Sequence, residues 1–274
     1  MNLRALRIVY ILAICGVPLA AQLPFYTDDP AVTPEGTLHF EFFNEYDALQ
    51  NAQFPNLRQN TVNYKLNFGL PHHLEIDLDS PYLSIFRAFG NNPQTSTGVG
   101  DTNLGLKWNF YKLLSASFYV EFPTGDERQE LGSGLIDYWL NLIAQKAFAE
   151  GRTRLTVNTG MVFTGNTSTG VLGIETNRGH VYTAGLSLLH DFTPRLTLGA
   201  ELYGGFSPAH ELGRSQLQVL AGGQYQIRNG LTFNFGLLGG RYVASPRIGA
   251  QLGFSVDFPV FRKNVRAAAV SRLF

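Results

Sequence analysis

The chain has 274 residues, and its formal charges cancel, with 21 Lys and Arg against 21 Asp and Glu. Charged residues make up 15% and apolar residues 45%, with 29 glycines, 21 phenylalanines and 12 tyrosines. So many aromatics at zero net charge exclude intrinsic disorder and a basic nucleic-acid binder, and the single cysteine excludes an internal disulfide or a cysteine-based zinc site.

Residues 1–21 read as a cleaved secretory leader. Arg4 and Arg7 precede an apolar core from Ile8 to Leu19, and Ala20-Ala21 supplies small residues for cleavage. Cys15 lies inside that core. A lipoprotein box over Leu12–Cys15 is disfavoured, because Ile14 is bulky and the apolar run continues past it. A mature chain starting at Gln22 has no cysteine, which suits an oxidising compartment. After residue 21 no run reaches the roughly 18 apolar residues of a spanning helix. For residues 22–36 two readings stand level. Either Asp28-Asp29-Pro30 makes a turn in a periplasmic segment, or Pro24–Gly36 folds inward as a plug whose aspartates meet interior arginines.

From residue 37 the chain alternates apolar and polar side chains with period two, the signature of strands. Leu38, Phe40 and Phe42 oppose His39, Glu41 and Glu45. Val62, Tyr64, Leu66 and Phe68 oppose Asn63, Lys65 and Asn67. Leu74, Ile76 and Leu78 oppose Glu75, Asp77 and Asp79. The pattern recurs over 101–110, 114–122, 135–147, 152–164, 180–190, 194–206, 215–227, 231–241 and 247–258, giving twelve strands. Many segments hold nine or more residues, enough to cross a bilayer when tilted. Connections also alternate in length. Pro71–His73, Tyr111–Leu113, Phe148–Gly151, Asp191–Pro194 and Arg228–Gly230 are tight turns. Asp47–Gln59, Ser84–Val99, Pro123–Gly134, Gly165–Asn177 and Ser207–Arg214 read as long loops. A soluble sandwich has no reason to sort its loops by side, whereas outer-membrane barrels do. The fold class is therefore all-β: a transmembrane antiparallel up-and-down β-barrel of about twelve strands over residues 37–258. Trp108, Phe110, Tyr203, Phe206, Tyr225 and Phe258 are placed in its interfacial girdles.

The polar phase then faces a lumen. Glu41, Lys65, Glu75, Asp77, Asp79, Lys107, Glu121, Arg154, Glu201, Arg247 and Asp257 are the lumen-lining candidates. Their signs are mixed with acids in excess, so a pore has a weak cation preference at most. The alternative is a salt-bridged interior through which nothing passes. Twelve strands fall between barrels filled by side chains and water-filled porins. Gly98, Gly100 and Asp101 either shape a rim gate or let the chain turn into a strand. Asp126, Glu127 and Glu130 read as a solvated acidic loop in preference to a cation site. No cofactor is implied. His72-His73 sit in a turn, and no nucleophile–histidine spacing appears, so an enzymatic role is not expected.

The last strand carries Gln251, Gly253, Val256 and Phe258 in a polar–Gly–apolar–aromatic order. This resembles the signal read by the bacterial barrel-assembly machinery. A basic tail, 259–274, follows with Arg262, Lys263, Arg266 and Arg272 and no acid.

Three stretches carry a family resemblance: Thr27-Asp28-Asp29-Pro30; Thr97-Gly-Val-Gly-Asp101 running into Lys107-Trp-Asn-Phe110; and Phe122-Pro-Thr-Gly-Asp126 followed by Leu131-Gly-Ser-Gly134 and Gln145-Lys146. They resemble the outer-membrane barrel family named for the meta-pathway of phenol degradation, whose members are described as transporters or porin-like. The resemblance implies passive passage of small solutes, apolar or aromatic compounds among them, across the outer membrane of a Gram-negative bacterium after leader cleavage. Expected partners are membrane lipid, the assembly machinery and the solute. Oligomeric state is open. A structural barrel with a filled lumen and an outer-membrane lipid-modifying enzyme stand as the alternatives.

Overall fold

Period-two alternation obliges each strand to hide one polar face from lipid, and a sheet that closes on itself is the arrangement that does so without leaving an unpaired edge. The computed structural model describes residues 23–89, 92–164, 172–174 and 179–260. The leader with Cys15, most of the 165–177 loop and the tail from residue 261 lie outside the described residues. Among the described residues the strands are β1 (Thr37–Ala48), β2 (Asn56–Leu70), β3 (Leu74–Phe89), β4 (Asn92–Val99), β5 (Thr102–Tyr111), β6 (Leu114–Phe122) and β7 (Asp137–Phe148). They continue as β8 (Thr153–Thr164), β9 (Gly179–Thr193), β10 (Leu196–Phe206), β11 (Gln216–Arg228), β12 (Leu231–Gly240) and β13 (Ile248–Pro259).

All pairings between these strands are antiparallel, and β1 pairs with β13 from Thr37↔Pro259 to Ala48↔Ile248, closing the sheet. β4 and β5 are two halves of one stave. β3 pairs its Leu74–Asp79 half with β5 and its Tyr82–Phe89 half with β4. The barrel therefore has twelve staves. Two expected long loops are corrected. β2 already begins at Asn56, and most of 84–99 is a β3–β4 hairpin that carries the wall beyond the first half of β3. Sequence reading stopped there because Ser, Thr, Asn and Gly blur the alternation over 90–98. The tight turns stand where expected except the fourth, where β9 runs on to Thr193 and the turn falls at 194–195; in the first of them His72 and His73 both take positive φ, 63° and 61°.

The polarity is inverted relative to a soluble protein. Leu66, Leu140, Leu188 and Leu237 point outward and are exposed, while Glu41, Glu75, Lys107 and Asn234 point inward and are buried. Outward apolar and inward polar is the requirement of a lipid-embedded barrel. Apolar side chains inside gather in two small groups. Leu49, Leu83, Ile85 and Leu131 pack together near the long-loop mouth with Leu172 against them. Phe25, Leu220 and Leu238 pack deeper.

Candidate functional site

Residues 23–36 form no regular strand, and they lie inside the barrel. The segment turns in beside the β2–β3 turn, where the Gly36 amide donates to the Gly69 carbonyl at 2.9 Å. Gly69 has to be glycine: a Cβ there would run into the backbone oxygens of Thr33 and Pro34. With no strand partner, the segment's backbone groups must find partners among lumen side chains. Thr33 N–H donates to Glu75. The Pro30 carbonyl accepts from Asn109 Nδ2 at 2.8 Å and from Ser115 Oγ at 2.5 Å. Asn158, with its amide oriented by its partners, meets the Asp28 amide and carbonyl at 2.7 and 2.9 Å. The amides of Tyr26 and Thr27 both donate to Glu201. Gln224 Nε2 donates to the Leu23 carbonyl at 2.5 Å. Pro24, Pro30 and Pro34 bring no N–H to satisfy.

Side chains of the segment are engaged too. Asp28 Oδ1 lies 2.8 Å from Lys107 Nζ, the latter fully buried. The aspartate thus meets a lysine where an arginine was expected. Tyr26 stacks on Tyr203 with ring centres 5.6 Å apart, and its hydroxyl donates to Glu45. Burial pushes the Asp29 carboxyl up to about 6, Lys107 opposing that rise and Asp28 adding to it.

Beside the segment is a chamber of about 300 Å³. Leu23 to Tyr26 and Asp28 form one side of it. The rest is barrel wall: Phe43, Tyr119, Trp139, Ile143 and Tyr203 among Glu41, Lys65, Asp79, several asparagines and Gln251. Of the lumen candidates, Glu41, Lys65 and Asp79 line this chamber, Lys65 standing in register between Glu41 on β1 and Asp79 on β3. Glu75 and Lys107 face each other across β3 and β5. Asp77 accepts from the Tyr119 hydroxyl at 2.8 Å, and Glu121 accepts from Trp139 Nε1 at 3.2 Å. Glu201 holds the segment.

Three candidates lie away from the chamber. Asp257 bonds His39 Nδ1 at 2.6 Å near the tight-turn end. Arg154 pairs with Asp191 at 2.6 Å at the same end. Arg247 is exposed on the opposite rim, bonded to Asn51 Oδ1 at 3.2 Å. It precedes β13, so the alternation that placed it in the lumen does not reach it. In β13, Gln251 and Gly253 face inward, and Val256 and Phe258 fall on the outward phase.

Tyr203 is corrected from an interfacial girdle to the chamber wall. With it come Phe43, Tyr119 and Trp139, aromatic residues that sequence reasoning missed as site residues. Their signal was present: each falls on the polar phase of its strand, where an aromatic has no lipid to meet. Asp101 also gains a definite job. Its carboxylate, fully buried, accepts from the amides of Gly125 at 2.9 Å and Ser133 at 2.6 Å. That pins the 123–136 loop and seats Leu131 in the mouth cluster. The same loop is tied to the wall by Glu130 on Arg87 at 3.0 Å, so Glu130 is not simply solvated. Among the described residues no group of three or more acidic, histidine or cysteine side chains is placed to hold a metal.

Comparison with curated proteins finds no match to this chain. Among solved structures, the KdgM porin in complex with disordered oligogalacturonate is 12% identical, with a TM-score of 0.53, covering 80% of this chain and 99% of that one. The NanC porin is 9% identical with a TM-score of 0.52, covering 80% and 98%. The translocator domain of the autotransporter NalP from Neisseria meningitidis is 10% identical with a TM-score of 0.50, covering 82% and 90%. At these identities the likeness is one of barrel fold. The sequence relationship comes from a family model described as "Putative MetA-pathway of phenol degradation", which matches residues 27–258. The chain is a member of that family.

Proposed function

We propose that this protein is a passive channel or facilitator for small solutes in the outer membrane of a Gram-negative bacterium, reached after removal of the leader. Both termini are then periplasmic, and residues 22–36 act as a plug that narrows the passage. One observation carries this reading: a chamber of about 300 Å³, walled by aromatic and apolar side chains with Glu41, Lys65 and Asp79 among them, stands where a structural barrel would have packed side chains. Lumen charges set the selectivity of such a pore. The similarity to porins supports the reading at the level of fold. Phenolic or other aromatic compounds are candidate solutes, in keeping with the family description.

The test is conductance of the refolded mature chain in a planar bilayer, beside a variant lacking residues 22–36. Discrete steps that enlarge in the truncated variant are expected. Folding is checked by heat-modifiable migration in gels. Silence from folded barrels of both chains overturns the proposal.

A further inference from the structure

We infer that the chamber binds a small amine in its ammonium form, with single-ring aromatic amines preferred. This rests on the channel reading only for how the solute arrives; what the chamber takes follows from its walls. Its size comes first. A cavity of about 150 Å³ accommodates benzene, so about 300 Å³ admits one ring with a short polar arm. The walls come second. Phe43, Trp139 and Tyr203 line it, and the negative faces of such rings attract an ammonium group more than a neutral one.

Charge decides between cation, neutral molecule and anion. Lys65 stands in register between Glu41 on β1 and Asp79 on β3, so its charge is flanked by two carboxylates. Asp28, the third lining carboxylate, is met by Lys107. Glu41 also meets His39 Nε2 at 3.1 Å, but that ring is shared with Asp257 at 2.6 Å, so Glu41, Asp79, Asp28 and Asp257 outnumber Lys65, Lys107 and His39 by one. Hydrogen bonding points the same way. Gln251 Oε1 and Asp79 Oδ1 have no donor among the described residues, and Gln251 is only 2% exposed. A ligand rich in N–H groups answers that surplus of acceptors. A carboxylate ligand would add to it, and a neutral aromatic leaves the charge uncompensated.

The chain contains two tryptophans, of which Trp108 is exposed on the outward face. In the Trp108→Phe protein, Trp139 reports on the chamber alone. Its fluorescence is titrated near pH 7 with benzylammonium, benzyl alcohol and benzoate. Benzylammonium is expected to give a saturable change at least about tenfold tighter than benzyl alcohol, and benzoate none. Asp79→Asn should weaken benzylammonium about tenfold and leave benzyl alcohol unchanged. Gln251→Leu, which alters no charge, should weaken benzylammonium several-fold and guards against a misfolded Asp79 variant. Equal affinity for the alcohol, any binding of benzoate, or no binding by folded protein overturns the inference. Conductance on the same samples separates the two readings. Steps without binding remove the ammonium assignment alone, and binding without steps removes the channel alone.

Discussion

Replacing Glu201 by Ala should release the interior segment while leaving the barrel standing. Glu201 is 2% exposed on β10, and it accepts the amides of Tyr26 and Thr27. A hydrogen bond to a charged acceptor contributes about 1.5–3 kcal/mol. Two at the lower end give about 3 kcal/mol, or roughly a hundredfold in the docking equilibrium. Part of that is offset, because the variant also removes a carboxylate from the neighbourhood of Glu45, so the lower end is the figure to use. Hydrogen exchange resolved by mass spectrometry reads it directly, since local opening sets amide protection. Peptides covering 23–30 should exchange about a hundredfold faster, with β1 and β13 as protected as in the parent. Glu201→Gln, which keeps an acceptor oxygen but no charge, should fall between the two. Parent-like exchange of 23–30 in a folded Glu201→Ala barrel would refute the reasoning, and would shift the anchoring to Asp28 with Lys107 and Asn158.

Four further outcomes are expected. Lys65→Gln should move the reversal potential in a salt gradient toward stronger cation preference; an unchanged potential would place Lys65 off the conducting path. Leu140→Arg, on the exposed outer face of β7, should cost about 2–4 kcal/mol if it lies at the bilayer midplane, read as a lower urea midpoint in vesicles. Asp101→Ala strands two amides at about 1–3 kcal/mol each, so the 123–136 loop should become open to proteases near Glu127–Glu130. Asp29 has its docked carboxyl raised from 3.8 to about 6, so docking is strongest with that group protonated and weakens as pH rises through this range. Asp29→Asn should therefore slow exchange of the segment near neutral pH and change little near pH 4, after correction for intrinsic rates.

Most of the barrel was legible because lipid enforces the simplest of patterns. Each of the twelve alternating segments lies on one stave, and the tight turns fall between them. What failed was the end of the pattern. Over 90–98 the sequence runs through Gly, Asn, Pro, Gln, Thr and Ser with no apolar residue on either phase, so alternation could not mark the β3–β4 hairpin. Arg247 failed for a related reason, since parity was extended one residue past the strand. The chamber aromatics were hidden by a rule of thumb that sends Tyr and Trp to membrane interfaces. Parity is the better guide: Tyr119 shares the phase of Ser117 and Glu121, and Tyr203 that of Glu201, the polar side of each strand. Residues 23–36 carry no periodicity at all, so alternation could not place them. Their position depends on contacts with β3, β5, β6, β8, β10 and β11, all distant in sequence.

Those contacts account for the burial of Glu75 and Glu201. An irregular segment inside a barrel has amides and carbonyls that neither a strand nor bulk water can pair, and each orphaned group carries a penalty. Three prolines reduce the number of amides. Glu75 and Glu201 accept three of those that remain, while Asn109, Ser115, Asn158 and Gln224 donate to the carbonyls. Acids suit the task because a carboxylate accepts several N–H bonds at once. Charge concentrated for that purpose also biases the neighbouring chamber toward cations, with Lys65 and Lys107 the lysines set against it. On the proposed channel reading, plug and selectivity are neighbours in one lumen: Glu75 and Glu201 hold the segment, and Glu41 and Asp79 line the chamber beside it.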